Sequence, residues 1–223
     1  MRKVKFVNDQ YYHIYNRGVD KRTIFQDIDD LKRFYQSMQE FNILEPIGSI
    51  YENSFLKRKE EQLGNSVPKL LIKDKLVEFI CYNLLPNHYH FSLKQLKDKG
   101  IQKFMHKLSL GYTNYFNKKH KRSGSLFQGR FKAVYVKSNE QLLHLSVYIN
   151  LNHQVHNLEK FGGSATKLFK GSWGEYVKGE KGICEKDIVL HQFGKSSDYK
   201  KFAEDSLKRI KENKEIKKLL LEY

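Results

Sequence analysis

Apolar and polar positions alternate along the chain with two different periods, and these predict strands and helices in an interleaved order. Four segments are rich in aromatic and β-branched residues, as strands are: residues 11–16, 77–82, 88–93 and 131–136. Three segments place apolar residues on one helical face: residues 28–41, 101–116 and 138 to about 153. The turn Leu85-Pro86-Asn87 joins the two central strands into a hairpin. The pattern predicts an α+β fold in which helices pack over an antiparallel sheet.

Two stretches fall outside this pattern. Residues 45–75 contain prolines, glycines and a charge cluster, and we interpret them as an exposed insertion in which residues 47–51 could form a short strand. The chain loosens at Gly162-Gly163-Ser164, and apolar residues then recur among lysines from Ser197 onward. We therefore predict a domain over residues 1–160 and a basic, partly helical extension over residues 161–223.

The composition fits a globular protein of the cytoplasm. Of the 223 residues, 39% are hydrophobic and 13% aromatic, enough to bury a core without a structural metal. Cys81 and Cys184 lie far apart and in no Cys-x-x-Cys motif, so neither a disulfide framework nor a structural zinc site is expected. The charged N-terminus has no apolar signal core, and no apolar run approaches membrane-spanning length.

The charge balance favours a polyanionic partner. Lysine and arginine number 41 against 25 acidic residues, for a net charge of +16. Contacts with nucleic-acid phosphates release condensed counterions, so such a surface binds nucleic acid well. A basic protein without such a partner is the alternative. An anionic membrane surface is the weaker one, because the basic residues are spread along the chain.

The strand at 88–93 carries a histidine pair. With a period of two, His88, His90 and Ser92 share one face of the strand and Tyr89, Phe91 and Leu93 the other. Two imidazoles on one face can bind a single metal ion. Taken alone, such a pair is more often structural or merely exposed than a metal site.

The helix beginning near Ser138 carries a polar stripe. His144, Tyr148 and Asn152 are spaced i, i+4 and i+8 beside an apolar stripe. The tyrosine could be a nucleophile, but the chain has 14 tyrosines and this one could also be a residue at the edge of the core. The spacing by itself does not decide between them.

Taken together, four stretches resemble the single-tyrosine transposases of the HUH class, in particular those associated with repetitive extragenic palindromes. The order and rough spacing of the motifs agree over about residues 11–155. The matching stretches are Tyr12-His13-Ile14-Tyr15-Asn16-Arg17-Gly18, Leu85-Pro86-Asn87-His88-Tyr89-His90-Phe91, Ser123-Gly124-Ser125-Leu126-Phe127-Gln128-Gly129-Arg130-Phe131-Lys132 and Tyr148-Ile149-Asn150-Leu151-Asn152.

The resemblance implies a fold, a site and a reaction. The fold would be ferredoxin-like, with the histidine strand central in the sheet. His88 and His90 would bind Mg²⁺ or Mn²⁺, with Asn152 as the third ligand, and Tyr148 would be the nucleophile. Attack by tyrosine on a DNA phosphate would leave a 5′-phosphotyrosine link and a free 3′-OH, and another 3′-OH could later rejoin the strands. The expected partner is single-stranded or hairpin DNA.

The sequence also departs from the family pattern. After Asn152 the family usually continues Pro-Val-Arg-Ala, whereas this chain has His153-Gln154-Val155-His156. The missing arginine puts a DNA contact or the helix end in doubt and leaves the catalytic set intact. The insertion at 45–75 is also longer than usual.

Basic residues beside the motifs are candidate phosphate contacts: Arg17, Lys121, Arg122, Arg130 and Lys132. Phe127 and Phe131 could stack on unpaired bases, although core packing is favoured for both. Two other functions remain open. One is a domesticated DNA-binding protein that keeps the fold without mobility, and the other is a basic RNA-binding module whose sheet exposes aromatic residues.

Overall fold

The computed structural model describes residues 4–45, 48, 50, 74–155 and 168–212. The strands are β1 Tyr11–Arg17, β2 Val77–Leu85, β3 His88–Gln95, β4 Lys132–Tyr135 and β5 Lys170–Gly171. The helices are α1 Ile28–Glu40, α2 Gly100–Lys119, α3 Asn139–Asn150, α4 Asn152–Val155, α5 Trp173–Val177, α6 Asp187–Leu190 and α7 Ser196–Glu212.

The five strands form one antiparallel sheet in the order β4-β1-β3-β2-β5. The first four strands and two helices follow the chain order β1-α1-β2-β3-α2-β4, which is the ferredoxin-like arrangement. The histidine strand β3 is central, between β1 and β2. The predicted α+β, ferredoxin-like fold is confirmed.

Two helices begin where the sequence supplies a cap. The Asp27 carboxylate accepts hydrogen bonds from the backbone N–H groups of Asp29 and Asp30 at the start of α1. At the start of α3 the Ser138 hydroxyl accepts from the Gln141 N–H at 3.1 Å, and the Gln141 side chain accepts from the backbone N–H of Lys137. The capping signals therefore fix both starts.

One face of the sheet packs against α1 and α2. Tyr89, Phe91 and Leu93 of β3 point into this core, together with apolar residues of the two helices such as Phe34 and Phe104. This is the face that the alternation in residues 88–93 predicts to be apolar.

The opposite face packs against α3 and the C-terminal helices. A bulge in β2 shifts the register between Phe79 and Cys81, and both Ile80 and Cys81 lie in this second core. Tyr199 of α7 and Tyr176 of α5 are buried in the same core. Residues 168–209 are thus packed onto the sheet and α3, while the predicted domain boundary near 160 lies outside the described residues.

Other differences from the sequence prediction concern element ends. The hairpin strands extend to Leu85 and Gln95, and the predicted helix after Ser138 ends at Asn150 rather than near 153. The two-residue strand β5 and the short helices α5 and α6 were not predicted, since each is too short to show a period. The insertion and the Gly162-Gly163-Ser164 segment lie largely outside the described residues. Within the described part, none of the helices is long and apolar enough to cross a membrane.

Candidate active site on the α3 face of the sheet

The histidine pair lies at the start of β3 on the face covered by α3. In the antiparallel register Arg17 is opposite His88 and Tyr15 is opposite His90. Because directly opposed residues point to the same side of a sheet, these four side chains share a face. The His88 and His90 rings are 5.2 Å apart between centroids and nearly perpendicular. The structure thus brings the predicted metal-binding pair together on one face.

A buried hydrogen bond holds His90. Nε2 of His13 lies 2.8 Å from Nδ1 of His90, and each residue is only 2% exposed. When His90 donates through Nδ1–H, its Nε2 keeps the lone pair that a metal ion needs. His88 is oriented similarly, since its Nδ1 donates to Oδ1 of Asn87 at 2.6 Å. Sequence reasoning placed His13 in a matching motif but gave it no role.

Tyr148 contacts both buried histidines from α3. Its ring meets the His90 ring edge to face at 5.6 Å and the His13 ring at 6.2 Å between centroids. Tyr148 is 1% exposed and belongs to the second hydrophobic core. The sequence allowed Tyr148 to be either a residue at the edge of the core or a nucleophile near the histidines. In the structure its ring is packed in the core and also lies against the histidines.

Three other tyrosines can be compared with it. Tyr112 lies in the core on the opposite face of the sheet, where its hydroxyl donates to the carbonyl of Ile24 and burial raises its pKa well above the ordinary value. Tyr115, also on α2, lies under the Arg33 guanidinium. Tyr15, which the sequence placed in a matching stretch without a role, stacks on His90 at 5.6 Å. Only Tyr15 and Tyr148 of these four contact the histidine pair.

Asn152 lies just beyond the end of α3. It is fully buried, and neither atom of its side-chain amide has a hydrogen-bond partner among the described residues. The prediction that Asn152 shares one helix with Tyr148 is wrong: α3 ends at Asn150, and Asn152 begins the short helix α4. The α-helix ends early because the chain forms a tighter turn after Leu151. The N–H of Gln154 donates to the carbonyl of Leu151, three residues back instead of four.

Asn83 is a second buried amide at the site. It lies opposite His90 in the β2–β3 register, so it shares the face of the histidine pair. Its Nδ2 donates to the carbonyl of Ile149, which ties β2 to α3 beside Tyr148, while its Oδ1 is buried without a partner in the described part of the chain. A polar residue in the apolar run of β2 was the available sequence signal.

These donors suit a divalent cation. Imidazole nitrogens and amide oxygens together are typical ligands of Mn²⁺, and Mg²⁺ accepts such a set less readily because it prefers oxygen. A buried amide without a partner is costly, and a bound cation would satisfy its oxygen. The residues present therefore fit a metal ion.

A second group of potential metal-ligand atoms links two helices instead. Asp27, Asp30 and His120 place such atoms within 4.8 Å of one another. Lys119 already lies among them, with Nζ at 2.7 Å from Asp27 and 2.9 Å from Asp30. The cluster joins the start of α1 to the end of α2, and the lysine offsets part of its negative charge.

The basic candidates separate into three groups by position. Arg17 and Lys132 lie on the face of the histidine pair, since Lys132 is opposite Tyr15 in the β1–β4 register and its Nζ lies 5.9 Å from that ring. Arg122 is engaged in its own turn, where it donates to Asn117 and to the carbonyl of Ser125. Lys121 and Arg130 are exposed in the loop between α2 and β4.

Comparison with known proteins gives one family match. Residues 47–152 match the sequence model described as "Transposase IS200 like". This span contains His88, His90, Tyr148 and Asn152 but not β1. No curated protein matches the chain.

Two solved structures are similar at low identity. One is a REP-associated tyrosine transposase bound to a REP hairpin, with 13% identity, a TM-score of 0.47 and coverage of 82% of this chain and 88% of that one. The other is a tRNA(His) guanylyltransferase from Saccharomyces cerevisiae, with 12% identity, a TM-score of 0.33 and coverage of 91% and 79%. At these scores neither likeness carries an argument about function. The family match spans the histidine pair and the tyrosine, and it makes residues 47–152 similar to the IS200-like transposases.

Proposed function

We propose that this protein is a metal-dependent endonuclease and strand transferase for single-stranded DNA, with Tyr148 as its nucleophile. The observation that carries the proposal is the contact of the Tyr148 ring with His90 and His13. The side-chain oxygens of Asn83 and Asn152 are also buried without a partner among the described residues. The family match supports the same kind of activity.

The proposed reaction needs no external energy source, because the phosphotyrosine bond stores the energy of the phosphodiester that is broken. The Tyr148 hydroxyl oxygen attacks the scissile phosphorus and loses its proton, a P–O bond to tyrosine forms, and the bond from phosphorus to the 3′ oxygen breaks. The 3′ oxygen takes up a proton and leaves as a free hydroxyl, while the 5′ side stays linked as phosphotyrosine. A second 3′-hydroxyl can reverse these steps on the linked phosphate, which transfers the strand.

The remaining residues have positioning and binding roles. His88, His90 and Asn152 would hold Mg²⁺ or Mn²⁺, which when bound polarises the phosphate and offsets its developing charge. Asn83 anchors the end of α3 next to the nucleophile. Arg17 and Lys132 would contact the phosphates on either side, with Lys121, Arg122 and Arg130 as further contacts along the loop after α2.

The substrate is expected to be unpaired DNA, with a hairpin nearby. One tyrosine at one metal site can cut one strand at a time, and an unpaired strand bends most easily into a site on a sheet face. The nearby hairpin is expected because the motifs resemble those of transposases associated with repetitive extragenic palindromes.

The test uses matched labelled substrates: a hairpin with a single-stranded tail, the linear single strand, a blunt duplex and the corresponding RNA. With Mn²⁺ we expect cleavage of the first two, most for the hairpin, and little of the duplex or RNA. EDTA should abolish cleavage. Equal cutting of duplex and single strand, or full cutting in EDTA, would refute the proposal, and a preference for RNA would favour an RNA-processing function.

A further inference from the structure

A cavity lies between α2 and the loop that leads into β4, on the sheet face opposite the histidine pair. Its volume is about 590 Å³, within the range of small-molecule binding sites. Its lining includes Gln102, Met105, His106, Ser109, Arg130 and Phe131. The proposed reaction uses none of these residues except Arg130, which we place along the DNA path.

The lining combines the groups that bind a nucleobase. Phe131 offers an aromatic ring, since it is only partly buried against the first core. The Oε1 atom of Gln102 is a buried acceptor without a hydrogen-bond partner among the described residues. Base edges carry N–H donors that such an acceptor can receive, and base faces stack on aromatic rings.

The charge of the cavity also suits nucleic acid. None of the described residues lining it is acidic, and the Arg130 guanidinium lies at its wall. A second cavity, of about 700 Å³, is lined by three acidic residues, Glu40, Glu78 and Glu185, and by one basic residue, Lys75. Its carboxylates outnumber its lysine and would repel phosphates. Of these two cavities, the one beside Arg130 is therefore the site for a phosphate-bearing ligand.

Hydrogen bonds connect this loop to the end of β1. Arg17, which is opposite His88, bonds to Gln128, and Asn16 donates to the carbonyl of Gly129 at 3.3 Å. Gly129 has a φ of +65° and nothing within 4 Å of the position that a Cβ would take, so the loop turns sharply and leaves open space there. Lys132 then points to the active-site face while the preceding Phe131 packs toward the other.

We propose that this cavity binds one unpaired base of the DNA strand that the active site cuts, after the strand crosses the sheet edge at β4. The inference rests on the proposed function, since it names a second contact on the same substrate. Phe131 stacks on the base, Gln102 Oε1 accepts a hydrogen bond from a base N–H, and Arg130 pairs with the adjoining phosphate. The cavity would thus fix which phosphate lies at Tyr148.

The experiment measures binding, not cleavage, by fluorescence anisotropy. A labelled hairpin with a single-stranded tail is scanned with single abasic sites against the wild-type protein. We expect one tail position at which loss of the base weakens binding about five- to tenfold, the loss of one stacked base. In Gln102→Leu, which removes the acceptor at similar size, the intact DNA should bind several-fold more weakly and the abasic effect at that position should shrink. Lys103→Ala, an exposed neighbour on α2 that does not line the cavity, should keep the wild-type abasic profile.

Two outcomes would overturn the inference. If the wild type binds the DNA but no abasic position matters, or if Gln102→Leu retains the full abasic effect, the base site is wrong while the proposed function stands. If the wild type binds neither hairpin nor linear single strand, the proposed function fails and the base site with it.

Discussion

The hydrogen bond between His13 and His90 would make His13 a positioning residue for the proposed metal site. Partners that orient metal-binding histidines typically contribute about 10–100-fold to metal affinity. We therefore expect His13→Ala to weaken Mn²⁺ binding by about that factor while circular dichroism shows an unchanged fold. The free Mn²⁺ signal in electron paramagnetic resonance measures the affinity.

The matched control is His191→Ala, because the side chain of His191 is 80% exposed. His13→Asn should restore part of the affinity, since its amide can still hydrogen-bond to Nδ1 of His90. Equal Mn²⁺ affinity in wild type and His13→Ala would show that the bond does not act on the metal site.

Substitution of the two buried asparagines Asn150 and Asn152 should have opposite effects on the free energy of unfolding. Asn150 donates to the Tyr199 hydroxyl and accepts from the Ser172 hydroxyl, whereas Asn152 has no such partners among the described residues. In EDTA, Asn150→Leu should lower the free energy of unfolding by about 1–3 kcal/mol, and Asn152→Leu should leave it unchanged or raise it.

Urea unfolding of both variants measures the effect on stability, and Mn²⁺ affinity measures the effect on the proposed metal site. Asn152→Leu should bind Mn²⁺ more weakly, because it lacks the ligand oxygen. If Asn152→Leu destabilises the metal-free protein as much as Asn150→Leu, the amide has a structural role that we do not assign to it.

The sequence identified the site residues that lie in local motifs, and it missed those brought in by pairing between strands. His88 and His90 are recognisable because they are two residues apart on one strand. His13 and Asn83 reach the same face only through the register of three strands, which no local period reveals. The roles of His88, His90, Tyr148 and Asn152 remain predictions that the experiments above and below address.

Among the elements, those with long apolar periods and caps were predicted well, and short ones were not. Both α1 and α3 start at residues that the sequence marks as caps or first positions. The end of α3 was missed because His153-Gln154-Val155 continues the helical composition, while the chain tightens its turn at Leu151. The strand β5 contributes only two residues, paired with Asn83 and Leu84.

Asp27 links the start of α1 to α2 and should make stability depend on pH. Its hydrogen bond with Lys119, and then its bonds from backbone N–H groups, lower the pKa of the Asp27 carboxyl below the ordinary 3.8. A lowered pKa stabilises the fold above 3.8, and that contribution is lost as pH falls from there through the folded pKa.

Two substitutions of Asp27 separate its role as a helix cap from its ion pair with Lys119. Asp27→Asn keeps a good capping residue and should cost at most about 1 kcal/mol at pH 7, as an exposed ion pair does. Asp27→Ala also loses the cap and should cost about 0.5–2 kcal/mol more. Urea unfolding should show the Asn variant approaching the wild type below pH 3.8. A difference that stays constant over that range would contradict the ion-pair assignment.

For the whole molecule, the packing around the sheet argues against one alternative function. An RNA-binding sheet of the kind considered from sequence exposes aromatic residues on an open face. Here α1 and α2 cover one face, and α3 with α7 packs over the other, where Tyr176 and Tyr199 are buried. The net charge of +16 still favours a nucleic-acid partner. We expect its phosphates to be contacted from turns and the sheet edge, where Arg17, Arg130 and Lys132 lie.

The central claim is that Tyr148, and no other tyrosine, becomes linked to DNA. The direct measurement is mass spectrometry of the digested protein after reaction with the hairpin and tail in Mn²⁺. We predict a nucleotide phosphate on the peptide containing Tyr148, none in Tyr148→Phe, and an unchanged adduct in Tyr15→Phe, whose ring also contacts His90. An adduct on Tyr15, or one that persists in Tyr148→Phe, would contradict the account.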